Sequence, residues 1–258
     1  TLVFPVDSFE DIFKKNSLSG WEFQDSFKAT FALAQFRDIK EKYSSLPSPP
    51  PRPSIIRFSQ PEEVEALFKR YSNPCKVSWD IETSGLDFML DEIGCLTLSF
   101  DGRVGYFIPW NLINIESLNK FLENKYQIGQ NLKFDCKFLR QAGVTNAKAH
   151  SDTMILGQTL GSYKSNSLKA LAYYYTPYGG YDRELDEYLE QYHPSSYLDI
   201  PEKILSRYAA MDAIVTYLTH EALQNQLSTV DAQYPPKESG AWKIRDYYEK
   251  IRMPAFNS

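Results

Sequence analysis

The sequence predicts an α/β fold, a mixed sheet with helices packed on its faces. Two observations predict it. From Ile55 onward, short β-prone runs alternate with segments of helical periodicity. Among them lies a strong hairpin signal, Asp101-Gly102 between two apolar runs, so the sheet must contain an antiparallel pair as well as α/β units.

Residues 1–45 form a separate block. Phe23, Phe27 and Phe31 recur every four residues, which is helical spacing and reads as a packing stripe. Leu46-Pro-Ser-Pro-Pro-Pro-Arg-Pro53 follows, a proline density that favours a stiff polyproline II spacer. Ser59-x-x-Glu62 is a capping-box signal for a helix carrying Val64, Leu67 and Phe68. Lys76–Glu82 is the first clear strand, and Glu92–Phe100 and Arg103–Trp110 are the hairpin arms. Ile115–Leu122 reads as helix, Tyr126–Gly129 as a short strand, Lys133–Ala142 and Ser167–Tyr175 as helices. Residues 176–200 read as a loop-rich insert with five tyrosines, Tyr178, Tyr181, Tyr188, Tyr192 and Tyr197. Pro201–Leu227 is a long helix, Pro235-Pro236 breaks the chain, and a last helix is expected from about Ser239 to Arg252. The expected organisation is an extension with its linker over 1–53, a main domain over 54–228, and a closing segment over 229–258.

Composition narrows the function. Hydrophobic residues make up 43% of 258 and aromatics 15%, enough for a sizeable core. The net charge of −5 argues against a stand-alone nucleic-acid binder, which normally shows a basic surface. Cys75, Cys95 and Cys136 are odd in number and widely spaced, which implies neither a zinc site nor a disulfide framework and suits a reducing, intracellular setting. No apolar run approaches the ~20 residues that span a bilayer. The start at Thr1 and the stop after Pro254-Ala-Phe-Asn-Ser258 lead us to expect a longer parent protein.

The chemistry begins at Asp80 and Glu82. On a strand, residues two apart face the same way, so two carboxylates share one face at the end of a packed element. Like charges that close destabilise each other, and the pattern asks for a divalent cation. Two further spacings join it. Asn131 and Asp135 are four apart at a helix start, and Tyr208 and Asp212 are four apart inside a long helix, among small apolar neighbours. Singly, such patterns are ordinary caps and surface charges. Together they place four carboxylates on three elements, with a phenol one turn from the last.

In this order the motifs resemble the 3′–5′ proofreading exonuclease domain of family A DNA polymerases, within the DEDD superfamily. Asp80-Ile-Glu-Thr-Ser-Gly-Leu-Asp87 looks like the first exonuclease motif, Asn131-Leu-Lys-Phe-Asp135 the second, and Tyr208-Ala-Ala-Met-Asp212 the third in its tyrosine subclass. The histidine subclass would place His where Arg207 stands. Ser151-Asp-Thr-Met154 and Asn166-Ser-Leu-Lys-Ala-Leu-Ala172 are also similar to the family, and the resemblance covers roughly 55–228. Tyr247-Tyr-Glu-Lys-Ile-Arg-Met-Pro254 is similar to the segment that opens a polymerase domain.

The resemblance implies a ribonuclease H-like mixed sheet; residues 1–53 lie outside it and are expected, from the phenylalanine spacing, to be an N-terminal helical extension. It implies two Mg²⁺ or Mn²⁺ ions held by Asp80, Glu82, Asp135 and Asp212. Asp80 would bridge both ions, Glu82 and Asp212 would complete the tighter site, and Asp135 would hold the second ion through water. Tyr208 would orient the attacking water. Leu86 would wedge against the terminal base, and Thr83 and Asn131 would lie near the strand. On their own residues, Leu86 reads equally as a core leucine and Asn131 as a helix cap. The implied substrate is a single-stranded or frayed DNA 3′ end, released as nucleoside 5′-monophosphates, with a polymerase domain beyond Ser258 and no membrane partner. Two other readings stand beside it: an RNA-processing exonuclease of the same subclass, and a non-catalytic binding module.

Overall fold

A computed structural model describes residues 51–161, 165–234 and 242–257. The phenylalanine stripe, most of the proline-rich linker and the Pro235-Pro236 break lie outside them. Six strands form one sheet in the order β1-β4-β3-β2-β5-β6, with β1 at Ser54–Arg57, β2 at Lys76–Thr83, β3 at Ile93–Ser99, β4 at Val104–Pro109, β5 at Tyr126–Gly129 and β6 at Ser151–Asp152. The hairpin pair β3–β4 and the pair β2–β3 are antiparallel. The pairs β1–β4, β2–β5 and β5–β6 are parallel. This is the mixed α/β sheet that the alternation and the Asp101-Gly102 turn predict. Gly102 takes φ +68 at that turn, a conformation that suits glycine.

Helices α1 (Pro61–Arg70), α2 (Ile115–Leu122) and α3 (Leu132–Gln141) supply Val64, Leu67, Phe68, Leu118, Phe121 and Leu139 to the main core, against Val77, Trp79 and Ile81 of β2. The start of α1 differs by one residue from the expected box. Gln60 is the N-cap, and Glu63 accepts the backbone N–H groups of Ser59 (2.8 Å) and Gln60 (3.0 Å). Glu62 and Glu63 both sit in the first turn, and Glu63 is the one whose side chain reaches back.

One strand and helix were not anticipated, and two other expectations are corrected. Ser151–Asp152 pairs as a strand and leads into α4 (Thr153–Thr159), which the sequence reading left without structure. α5 is Leu168–Tyr175, and the insert beyond it is largely helical, with α6 at Arg183–Tyr192 and a 3₁₀ turn at Tyr197–Asp199. The long helix, α7, runs Glu202–Gln233, past the expected end at Leu227. The last helical stretch comprises α8 (Ile244–Tyr247), a π turn (Tyr248–Arg252) and α9 (Met253–Asn257). It docks through Tyr248, whose hydroxyl bonds Ser151 Oγ at 2.6 Å and accepts the Asp152 N–H at 3.1 Å. The three cysteines are free. No helix of the described residues is long and apolar enough to cross a membrane.

Candidate metal centre and active cleft

Strand β2 separates its two faces by residue parity. Val77, Trp79 and Ile81 enter the main core. Ser78, Asp80 and Glu82 turn the other way, toward α7, and Ser78 Oγ donates to the Ala213 carbonyl at 2.7 Å. The ladder to β3 shifts register between Glu82 and Thr83. Such irregularities end regular pairing and re-aim side chains next to sites. Beyond it Thr83 Oγ1 donates to the Gly85 carbonyl at 2.6 Å.

Helix α7 comes close to the sheet because its contacting face is small. Ala209, Ala210 and Ala213 are fully buried. Opposite them stands Gly105 of β4, where a Cβ would lie 2.6 Å from the Ala210 carbonyl oxygen. The approach brings Asp212 to the strand: carboxylate oxygens of Asp80, Glu82 and Asp212 all lie within 4.8 Å of one another.

The fourth carboxylate comes from α3. Asn131 precedes that helix in the left-handed region at φ +57, and its side chain makes no capping bond. Asp152 does the capping instead, accepting the Leu132 N–H on Oδ2 at 2.8 Å. Asp135 lies one turn in, buried at 4% exposure, and lines the same cleft as the other three. It stands outside the group of three whose oxygens fall within 4.8 Å, but its charge acts on both Asp80 and Glu82.

The electrostatics follow from burial. Asp80 is held well above the usual carboxylate range by desolvation first, then by Asp135, Asp212 and Glu82. Glu82 is raised by desolvation, then by Asp212 and Asp135, and Asp135 by desolvation, then by Asp152 and Asp212, with its own backbone N–H acting against them. Asp212 is pushed up to about 7 by desolvation, against which the hydroxyls of Tyr181 and Tyr208 act. Among the described residues, none of the four is in a salt bridge. Four converging carboxylates, Asp80 half-buried and the other three buried, without a paired side-chain cation and all hard oxygen donors, fit Mg²⁺ or Mn²⁺.

The cleft in front of them has a volume of about 550 Å³. Leu86 stands at its edge, 85% exposed, so it is not a core leucine. Thr83, Asn131 and Tyr208 line it, as does Tyr197 from the insert. The burial of Tyr208 and the carboxylates beside it raise its phenol above the ordinary value. One residue beside the centre is not distinguished by the sequence from the other insert tyrosines: Tyr181, whose hydroxyl donates to Asp212 Oδ1 and whose ring lies parallel to that of Tyr208, 6.1 Å away and 12° from coplanar. Only the Gly179-Gly180 turn before it hinted that this tyrosine is held differently from the others of the insert.

Several known proteins are similar to this chain. It is 31% identical over 219 residues to the DNA polymerase of Escherichia phage T5, covering 76% of this chain and 24% of that polymerase. It is 30% identical over 173 residues to DNA polymerase I of Aquifex aeolicus, covering 67% and 28%. The chain therefore spans about a quarter of the length of these relatives. In fold it is similar to the RRP6 catalytic core of Trypanosoma brucei, with a TM-score of 0.54 at 15% identity over 83% of this chain and 54% of that one. The Nibbler EXO domain of Aedes aegypti matches with a TM-score of 0.52 at 13% identity, over 68% and 89%. The fold is thus the ribonuclease H-like one of the DEDD exonucleases. Residues 55–228 match the model of the 3′–5′ exonuclease family of A-type DNA polymerases. That match spans well over half of the chain, and the protein belongs to the 3′–5′ exonuclease domain family of DNA polymerase I-type enzymes.

Proposed function

We propose that the domain is a two-metal 3′–5′ exonuclease that removes nucleotides from single-stranded or frayed DNA 3′ ends, as the proofreading part of a larger DNA polymerase. The observation that carries this reading is the convergence of Asp80, Glu82 and Asp212 within 4.8 Å at the floor of an open cleft that Asp135 also lines. In the reaction, a water oxygen attacks the terminal phosphorus, the bond to the 3′ oxygen of the penultimate nucleotide breaks, and that oxygen takes up a proton. Nucleoside 5′-monophosphate is the product.

Two bound Mg²⁺ or Mn²⁺ ions would supply an activated water and charge neutralisation at the leaving oxygen. Asp80, Glu82 and Asp212, with Asp135 beside them, would hold the ions. Tyr208 directs the attacking water by hydrogen bonding. Its raised pKa makes it a poor general base, so orientation is its contribution. Leu86, exposed at the cleft edge, would press on the terminal base, while Thr83 and Asn131 would contact the strand.

The same fold in RRP6 and Nibbler leaves the choice of nucleic acid to experiment. Labelled DNA and RNA single strands of one sequence, incubated with Mg²⁺, decide it: nucleoside monophosphates from the DNA 3′ end are expected, and an intact strand would overturn the enzymatic reading. Cleavage of RNA alone would replace the substrate. Asp80→Ala is expected to abolish cleavage with the fold retained.

A further inference from the structure

Behind the cleft stands a phenol that the proposed chemistry does not use. Tyr181 reaches Asp212 from outside the cleft lining, beside a separate cavity that it borders with Tyr178 and Met211. Its hydroxyl donates to Asp212 Oδ1. The stack on Tyr208 places one ring against both functional groups of α7.

The backbone around Tyr181 is built to hold it there. Gly180 takes φ +75, and at Gly179 a Cβ would come within 2.6 Å of the Tyr173 ring. The Tyr181 N–H donates to the Tyr178 carbonyl at 3.2 Å. The next residue, Asp182, is buried and paired with Lys169 at 2.9 Å, and Lys169 also holds Asp186 of α6 at 2.8 Å. A turn fixed at both ends leaves the phenol little freedom. Ordinary packing of an insert tyrosine asks for none of this, and a surface tyrosine would have water for its hydroxyl.

We infer that Tyr181 is a positioning residue for the cation site: its hydroxyl commits Asp212 Oδ1 to a bond inside the protein, so that cation ligation falls to Oδ2 in a fixed orientation. This rests on the metal-centre reading above. The physical logic is general. A carboxylate that swings freely loses orientational entropy on binding an ion, and a partner that locks it beforehand reduces that loss; removing such a partner typically weakens metal affinity or activity roughly 10–100-fold.

Tyr181→Phe tests it, because the ring, its stack and the turn remain while the hydroxyl goes. Mn²⁺ binding to the intact chain is followed by the electron-paramagnetic signal of the free ion, and metal-free melting temperatures of both proteins are recorded alongside. The expected result is a Mn²⁺ dissociation constant raised roughly 10-fold or more, a matching rise in the Mg²⁺ concentration that half-saturates cleavage, and recovery of most of the rate at saturating metal. An unchanged dissociation constant in Tyr181→Phe overturns the inference and leaves the exonuclease reading standing. Loss of the metal-free fold in the variant would assign the hydroxyl a structural role and overturn it as well. Failure of the unaltered chain to bind Mn²⁺ would remove the metal centre itself, and the inference with it.

Discussion

Asp152 caps the helix that carries Asp135: its Oδ2 accepts the Leu132 N–H at 2.8 Å, across 20 residues of sequence. Its other oxygen accepts the N–H groups of Met154 (3.0 Å) and Ile155 (3.3 Å) at the start of its own helix. One buried carboxylate thus satisfies the orphan donors of two helices, α3 and α4, and ties the second carboxylate element of the cleft to the sheet edge. Asn131 is thereby relieved of capping, and its side chain is left beside the cleft.

Asp152→Ala should therefore be costly. Losing one N-cap destabilises by roughly 0.5–2 kcal/mol, and here two are lost at once. At about 2–4 °C per kcal/mol for a domain of this size, the melting temperature is expected to fall by several degrees. Cleavage should weaken further than stability does, because Asp135 moves with α3. A melting temperature that does not move would show that water replaces the carboxylate.

A second prediction sets stability against activity. Asp135 is buried, and its charge acts on Asp80 and Glu82 without a salt-bridge partner. Asp135→Asn keeps the shape and removes one of four like charges. In the presence of EDTA the variant should melt higher than the unaltered protein, while its cleavage with Mg²⁺ should fall by orders of magnitude. A variant that is less stable without metal would mean that Asp135 is held by something other than repulsion and a cation.

The same charges set a pH dependence whose sign can be worked out. Asp212 has a folded pKa of about 7, above the ~3.9 of an unfolded aspartate. A raised carboxylate pKa means that the folded state holds the proton more tightly. Its contribution to metal-free stability is present at low pH and is lost as pH rises from about 4 toward 7. Bound Mg²⁺ takes the place of the protons. The Mg²⁺-induced rise in melting temperature should accordingly be larger at pH 8 than at pH 5.5, and calorimetry at pH 6 should detect proton release on Mn²⁺ binding. An equal shift at both pH values would contradict a proton–metal competition at these carboxylates.

How much of this the sequence made legible depends on how local each device is. Asp80 and Glu82 share a face because a strand repeats every two residues, and Tyr208 and Asp212 share one because a helix turns every 3.6 residues, so both pairs can be read from spacing. The Asp101-Gly102 hairpin is likewise local. Helix α6 does carry a helical period, Leu185, Tyr188, Leu189 and Tyr192 at i, i+3, i+4 and i+7, but the tyrosines and the glycine turn before it read as loop chemistry. Tyr181 and Asp152 were not assigned their roles because each acts through a bond to a residue 31 or 20 positions away, and no local period encodes such a bond.

The last prediction concerns a residue with no side chain. Gly105 lies on β4, across β3 from the strand that carries Asp80 and Glu82, and it faces α7. A methyl group there would meet the Ala210 carbonyl oxygen at 2.6 Å, with the Ala210 Cβ and Ile214 Cδ1 at 3.0 Å. Backbone cannot rotate away as a flexible side chain could, so α7 must shift or tilt. Overpacking of this kind costs about 1–3 kcal/mol. Asp212 is two residues from Ala210 on the same helix, and a displacement of even a fraction of an ångström opens the gap between its oxygens and those of β2. Gly105→Ala should thus lower the melting temperature and also weaken Mn²⁺ binding, although it touches no carboxylate. Gly161→Ala is the control: it too replaces a glycine, one at positive φ where Gly105 is not, but no atom of the described residues lies within 4 Å of the added methyl. It should lose some stability and keep its metal affinity. If Gly105→Ala bound Mn²⁺ as tightly as the unaltered protein, the close approach of α7 to the sheet would serve packing alone.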